Sequence, residues 1–255
     1  MKETRLLMGM PVTIEVVEPS VTTDHIDRIF RYFEYVDATF STYKEHSEIS
    51  RINRGELSLD EASGDMRTIF ALAEQTRLDT DGFFDIRRGD RYDPLGIVKG
   101  WAIFQAAEQL REMGYRHFYV DAGGDAQISG LNARGELWRL GIRNPFQPTE
   151  MVKLLALSDC GIATSGTYLR GNHIYNPMGD DTVMDAIVSL TVIGPNVYEA
   201  DRYATAAFAM GPDGIGFIET VDGLEGYLID RSGRATMTSG LRQYLALAPL
   251  VEGQA

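Results

Sequence analysis

Cysteine is nearly absent from this chain. Cys160 is the only one among 255 residues, so no internal disulfide and no thiolate metal cluster can form. No nucleophile motif surrounds it, and it reads as a small buried hydrophobe. Long apolar runs are missing as well; none approaches the ~20 residues that cross a bilayer. Residues 1–11 lack the apolar core of a secretory leader and carry no cysteine for a lipid. The expectation is a soluble, cytoplasmic protein, unless a longer precursor exists. Positive charge is scarce: 24 Lys and Arg stand against 37 Asp and Glu, a formal net charge of -13. That argues against a nucleic-acid groove or an anionic membrane as partner. It also means that a bound polyphosphate needs local compensation, from Lys, Arg or a divalent cation.

What is present is an ordinary globular composition, 44% apolar and 24% charged. The length suits one large domain or two small ones. There is no internal repeat, low-complexity block or clear linker, so residues 1–255 read as a single unit. Residues 11–17 are β-branched and alternate, the pattern of a strand. Ile26, Ile29, Phe30, Phe33, Val36 and Phe40 fall at helical spacing and predict an amphipathic helix over 24–39. Ser47 reads as the cap of a short helix. A second long helix is expected over 65–79, then a turn and short strand over 81–86 and a surface loop over 87–92. A third helix opens near Asp93 and runs to about Met113. Residues 117–130 read as strand, Gly-Gly turn, strand, and 138–143, 154–157 and 188–193 as further strands. Residues 198–211 read as a helix with a glycine stop. In the tail, a short helix precedes strands at 226–230 and 241–245. Strands outnumber helices in mixed order, which predicts an α+β fold, one compact unit of mixed or antiparallel sheet with packed helices.

Three stretches carry chemistry. In the first, an apolar run ends in Ala163-Thr164-Ser165-Gly166, followed by Tyr168, Arg170 and His173. Hydroxyls and backbone N–H groups at Thr164, Ser165 and Gly166 suit phosphate oxygens, although a polar hairpin fits equally well. In the second, Lys99 falls near the positive end of a helix, an unfavourable place for a cation unless something anionic is bound there. Gly96 and Gly100 beside it would let a group touch backbone. In the third, Asp201 and Thr205 are one turn apart on a face of small residues. They are either a cap or surface pair, or hard oxygen ligands for Mg2+.

With these blocks in order the chain resembles the FAD:protein FMN transferases, the ApbE family. The resemblance runs from Met8 to about Gly211 and rests on six ordered blocks. They are Met8-Gly9, the Ser41–Asn53 segment with Tyr43, and Gly96-Ile97-Val98-Lys99-Gly100-Trp101-Ala102. The others are Ala122-Gly123-Gly124-Asp125, Ala163-Thr164-Ser165-Gly166 with His173-Ile174, and Ala200-Asp201 with Ala204-Thr205. The resemblance implies a T-fold-like architecture, bound FAD and Mg2+, and transfer of FMN to a Thr or Ser hydroxyl of a target flavoprotein with release of AMP. It implies Asp201, Thr205 and the carbonyl of Gly96 as metal ligands. Met8, Tyr43, Asp93 and Lys99 become contacts to FAD. His173 becomes the histidine near the diphosphate and the general base. The chain departs from the pattern in three places. It has Asp93-Pro94-Leu95-Gly96 where many members have Asp-Leu-Gly-Gly, Asn176 where many have Asp, and a much shortened segment between Asp85 and Asp93. Two further activities fit the same pocket: an FAD pyrophosphatase giving FMN and AMP, and FAD binding without turnover.

Overall fold

The computed structural model describes residues 1–166, 175–179 and 183–246. Eight strands form its main sheet: β1 (Lys2–Leu7), β2 (Met10–Val16), β5 (Phe118–Ala122), β6 (Asp125–Ser129), β9 (Gly161–Gly166), β10 (Ile187–Gly194), β11 (Glu225–Asp230) and β12 (Ala235–Met237). They lie in that order, and every neighbouring pair is antiparallel. Two small hairpins stand apart, β3 (Arg87–Arg88) with β4 (Arg91–Tyr92), and β7 (Trp138–Arg143) with β8 (Met151–Leu157).

The helices pack on one face of the main sheet. In α1 (Thr23–Phe40) the Thr22 side chain accepts from the His25 N–H, and the buried stripe is the one the spacing predicts. Ser47 caps α2 (Glu48–Asn53) by accepting from the Ser50 N–H at 3.1 Å. With α3 (Gly64–Asp79) and α4 (Leu95–Glu112) these helices enclose a core against Val12, Ile14, Phe118 and Val120. Beside it, α5 (Val197–Ala209) and α6 (Gly214–Thr220) cover Leu190, Val192 and Leu228. The β7–β8 hairpin covers the opposite face, over Ile128, Ile162 and Ile229. Cys160 is buried there.

The start of α5 is fixed to the sheet. A Cβ at Gly161 would lie 1.9 Å from the Val197 nitrogen, so helix and strand touch backbone to backbone. The Gln127 side chain accepts from the Val197 N–H at 2.9 Å, and Asn196 caps the helix through the Glu199 N–H. The register of β9 and α5 is therefore set before any site residue is considered.

Several expectations need correction. Residues 83–86 form no strand: the Phe83 N–H donates to the Thr80 carbonyl and the Phe84 N–H to the Thr80 hydroxyl, which folds the chain back onto α3. The predicted loop at 87–92 is the β3–β4 hairpin. No strand forms at 241–245, because β12 already occupies that edge of β11; residues 239–244 make a 3₁₀ turn anchored by Glu219 on Ser239. An additional strand, β1, precedes the predicted one, and Met8 and Gly9 turn between them with φ of 53° and 71°.

On the hairpin side of the sheet, Trp138 stacks on Tyr119, whose hydroxyl donates to Asp121 at 2.9 Å. Burial pushes the Asp121 carboxyl up to about 6, against the opposing hydrogen bonds from Tyr119 and the Gly124 N–H. The folded chain therefore holds this proton more tightly than the unfolded chain does. The resulting stability is complete below the ordinary carboxylate range and is lost as pH rises through about 6. Asp121→Asn, which still accepts from Tyr119, is expected to gain melting temperature relative to wild type between roughly pH 4 and pH 7. Parallel melting curves that do not diverge over this range would refute the assignment.

Candidate active site

A cleft of about 600 Å³ opens where the turn between β1 and β2, the N-terminal part of α4, β9 and α5 converge. That volume suits a ligand of cofactor size. Met8 and Tyr43 lie on one wall, Tyr43 at the mouth and 89% exposed. Gly96 and Lys99 line the wall from α4, with Asp93 just before the helix, and Thr164 and Ser165 the wall from β9. Asp201 and Thr205 line it from α5.

At the base of the cleft α4 crosses α5 at Gly100. A Cβ there would lie 2.6 Å from the Asp201 Cβ, so only glycine permits this approach. The Gly100 N–H donates to Asp201 Oδ2 at 2.8 Å. Gly100 thus serves the packing of the two helices, not the approach of a ligand. One turn further along α5, the Thr205 hydroxyl donates to the Gly96 carbonyl at 3.4 Å. The carboxylate, hydroxyl and carbonyl predicted as ligands therefore share one corner of the cleft. Among the described residues no three His, Cys, Asp or Glu side chains gather as a ready cation site. The donor set is one carboxylate and two neutral oxygens, which suits Mg2+, a hard cation that completes its shell with phosphate and water. Neighbouring oxygens around Mg2+ stand about 3 Å apart, and the Thr205–Gly96 spacing is close to that.

Lys99 projects between two carboxylates. Its ammonium pairs with Asp125 Oδ2 and lies 3.2 Å from Asp201 Oδ1. Both carboxylates are almost fully buried. Asp125 also accepts from the Thr164 N–H at 2.9 Å, tying β6 to β9 and, through Lys99, to α4. Burial pushes the Asp201 carboxyl up; the Lys99 charge pulls it down, and the Asp125 charge pushes it up again. The anion expected beside Lys99 is thus supplied first by the chain itself.

The remaining predicted residues divide. The Thr164 N–H and hydroxyl already have partners, Asp125 and the Thr191 hydroxyl. Gly166 is buried, opposite Ser189 in the β9–β10 ladder, and does not line the cleft. Asp93 accepts from the Leu95 N–H at 3.3 Å and lies 3.6 Å from Arg88. His173, with Tyr168 and Arg170, lies outside the described residues. Asn176 is buried and its side-chain oxygen accepts from the Met178 N–H, closing a turn.

Sequence reasoning left out part of the wall. Phe83, Phe84 and Asp85, which lead into the shortened segment, and Arg88 within it line the cleft. The Arg88 guanidinium sits 4.2 Å from the centre of the Tyr175 ring, whose hydroxyl donates to the Arg87 carbonyl. Asp125 was also missed. It closes the Ala122-Gly123-Gly124-Asp125 block and opens the short strand Asp125-Ala126-Gln127-Ile128-Ser129, but the sequence assigns it no role.

A family model described as the ApbE family matches residues 8–95 and 87–228. The chain belongs to the ApbE family. Among its relatives is the FAD:protein FMN transferase of Vibrio cholerae, 32% identical over 126 residues, which span 46% of this chain and 38% of that protein. The FAD:protein FMN transferase of Haemophilus influenzae is 26% identical over 170 residues, 63% of this chain and 49% of that protein. In each case the aligned part is less than half of the relative's length. Among solved structures, the flavin transferase ApbE from Vibrio cholerae superposes with a TM-score of 0.82 at 23% identity, covering 96% of this chain and 99% of that one. The ApbE protein from Thermotoga maritima gives 0.85 at 20% identity, covering 97% and 99%. At these identities the likeness is one of fold, and it agrees with the α+β architecture described above.

The helix crossing carries a prediction. Gly100→Ala should force α4 from α5, costing about 1–3 kcal/mol of stability, and should turn the Asp201 carboxylate from its place. Urea unfolding measures the first effect. A variant as stable as wild type would mean that the crossing has room to spare.

Proposed function

We propose that this chain is a Mg2+-dependent flavin transferase that moves FMN from FAD to a Thr or Ser hydroxyl of a target flavoprotein and releases AMP. The observation that carries this reading is the oxygen corner of Asp201, Thr205 and the Gly96 carbonyl, set beside Lys99 in a cleft of cofactor size in a member of the ApbE family. The reading also draws on the printed activity of relatives such as those from Vibrio cholerae and Haemophilus influenzae.

The chemistry asked of the site is phosphoryl transfer, which depends on positioning and on neutralising charge. The acceptor hydroxyl attacks the phosphorus on the flavin side of the diphosphate. A new P–O bond forms, the P–O bond to the AMP phosphate breaks, and AMP leaves with that electron pair. A Mg2+ ion held by Asp201, Thr205 and Gly96 would supply the charge neutralisation that a chain of net charge -13 otherwise lacks. Tyr43 offers an exposed ring at the mouth to cover a flat heterocycle. Asp93, at the start of α4, and Met8, in the turn before β2, frame the same cleft. Lys99 holds positive charge beside the metal corner, where the diphosphate would lie. His173 takes the proton of the acceptor hydroxyl, a role that suits an imidazole near neutral pH.

Incubation of the protein with FAD, Mg2+ and a flavin-acceptor domain tests the reading. Covalent flavin on the acceptor is the expected outcome. Release of free FMN would replace it with a pyrophosphatase, and recovery of intact FAD with a binding protein. Asp201→Ala should abolish Mg2+-dependent transfer, and unchanged turnover would refute the metal assignment. His173→Ala should slow transfer by about 10²–10⁴-fold with FAD affinity retained. Loss of affinity alone, with transfer at saturating FAD intact, would remove His173 from the chemistry.

A further inference from the structure

The Lys99 ammonium occupies the position that a cation on Asp201 would contest. Asp201 has two carboxylate oxygens. Oδ2 accepts from the Gly100 N–H at the helix crossing. Oδ1 faces Lys99 at 3.2 Å. A divalent cation on Oδ1 would stand within a few ångströms of the Lys99 ammonium, and the two positive charges would repel one another. The Lys99 side chain is only 16% exposed, and an ammonium so enclosed cannot simply return to water. The second carboxylate in contact with it is Asp125, whose side chain is 3% exposed and whose other oxygen is held by the Thr164 N–H.

We propose that Asp125 is a positioning residue for metal binding: it retains the Lys99 ammonium when a divalent cation takes Asp201, so that lysine and metal stand side by side instead of excluding one another. This rests on the metal corner assigned above. Asp125 touches neither the metal nor the substrate in this scheme. It acts through Lys99, and its effect comes from a charge fixed on β6 and β9, both held in the main sheet. Without that charge, the Lys99 ammonium keeps its contact with Asp201 and competes with the metal there. Two cations within a few ångströms repel strongly in a buried site, and a carboxylate placed behind one of them offsets that repulsion.

Asp125→Asn isolates the charge, because the amide oxygen still accepts from the Thr164 N–H. The measurement is a titration of Mn2+ into the protein, with and without saturating FAD, in which electron paramagnetic resonance reads the free ion and Mg2+ competes. Asp125→Asn is expected to bind Mn2+ about tenfold more weakly than wild type. Lys99→Met should bind it at least as tightly as wild type, since the competitor is gone. The double variant should return to within about threefold of wild type. A purely structural role for Asp125 would not be rescued by removing Lys99. Wild-type affinity in Asp125→Asn, or a double variant as weak as the single, would overturn the proposal. Should Asp125→Asn fail to fold, Lys99→Met decides alone: weaker Mn2+ binding in that variant would show Lys99 supporting the metal and would overturn the proposal as well. If wild type binds no Mn2+ that Asp201→Ala removes, the metal corner itself is wrong and this inference falls with it. That result is distinct from one in which wild type binds and the variants match it.

Discussion

The contact between the Gly100 N–H and the Asp201 carboxylate, at the crossing of α4 and α5, is the constraint on which the site depends. A glycine lets the helices approach until a backbone amide of one holds a side chain of the other. The approach buries the carboxylate almost completely, and a buried carboxylate demands compensation. Lys99, one residue before Gly100, provides it. The backbone requirement at position 100 and the charge at position 99 are thus two consequences of one geometry. Gly161 extends the argument to the sheet. It brings the first residue of α5 onto β9, so the helix that carries Asp201 is fixed at its N-terminus against a strand and at its middle against another helix.

This arrangement bears on how so acidic a chain would accommodate the anionic ligand proposed for it. The described lining of the cleft carries Asp37, Asp85, Asp93 and Asp201 against Arg88 and Lys99. Several of these charges are answered inside the protein: Asp37 by Lys44, Asp93 by Arg88, and Asp201 by Lys99. A diphosphate entering this cleft would meet little net positive potential from these described side chains alone. A divalent cation at the proposed corner of Asp201, Thr205 and Gly96 would change the sign locally without requiring a basic protein. Net charge constrains long-range attraction and says little about a site in which a few buried groups set the potential.

Most of the fold could be read from the chain because the helices and central strands have strong periods. The α1 stripe from Ile26 to Phe40 and the alternation in β2 were legible for that reason. The errors fell where local pattern does not decide. The segment 83–86 has the aromatic content of a strand, but a threonine hydroxyl and carbonyl one turn back capture its amides. Residues 241–245 have strand composition, yet β12 had already taken the available edge. β1 was overlooked because its Lys, Glu, Thr and Arg residues are those of an edge strand with a wet face. The site divided in the same way. Asp201 and Thr205 were legible as a helical pair, and Gly96 only through the family resemblance. The role of Gly100 was not, because a glycine needed for helix contact and one needed for ligand approach look alike in sequence.

Asp125 shows a different limit. Its partners are 26 and 39 residues away in sequence, Lys99 on a helix and the Thr164 N–H on a strand, and no spacing rule links three such elements. What joins them is the fold, which sets β6 beside β9 and packs α4 against β6. In the chain Asp125 stands out only as the end of the Gly123-Gly124-Asp125 block, with no period, cap or cluster to give it a role, yet in the folded protein it holds the lysine on which the charge balance of the cleft turns. Topology therefore has to be known before such a residue can be assigned. The residues that tune a site are harder to find than those that touch its ligand, because the chemistry of the ligand does not select their spacing.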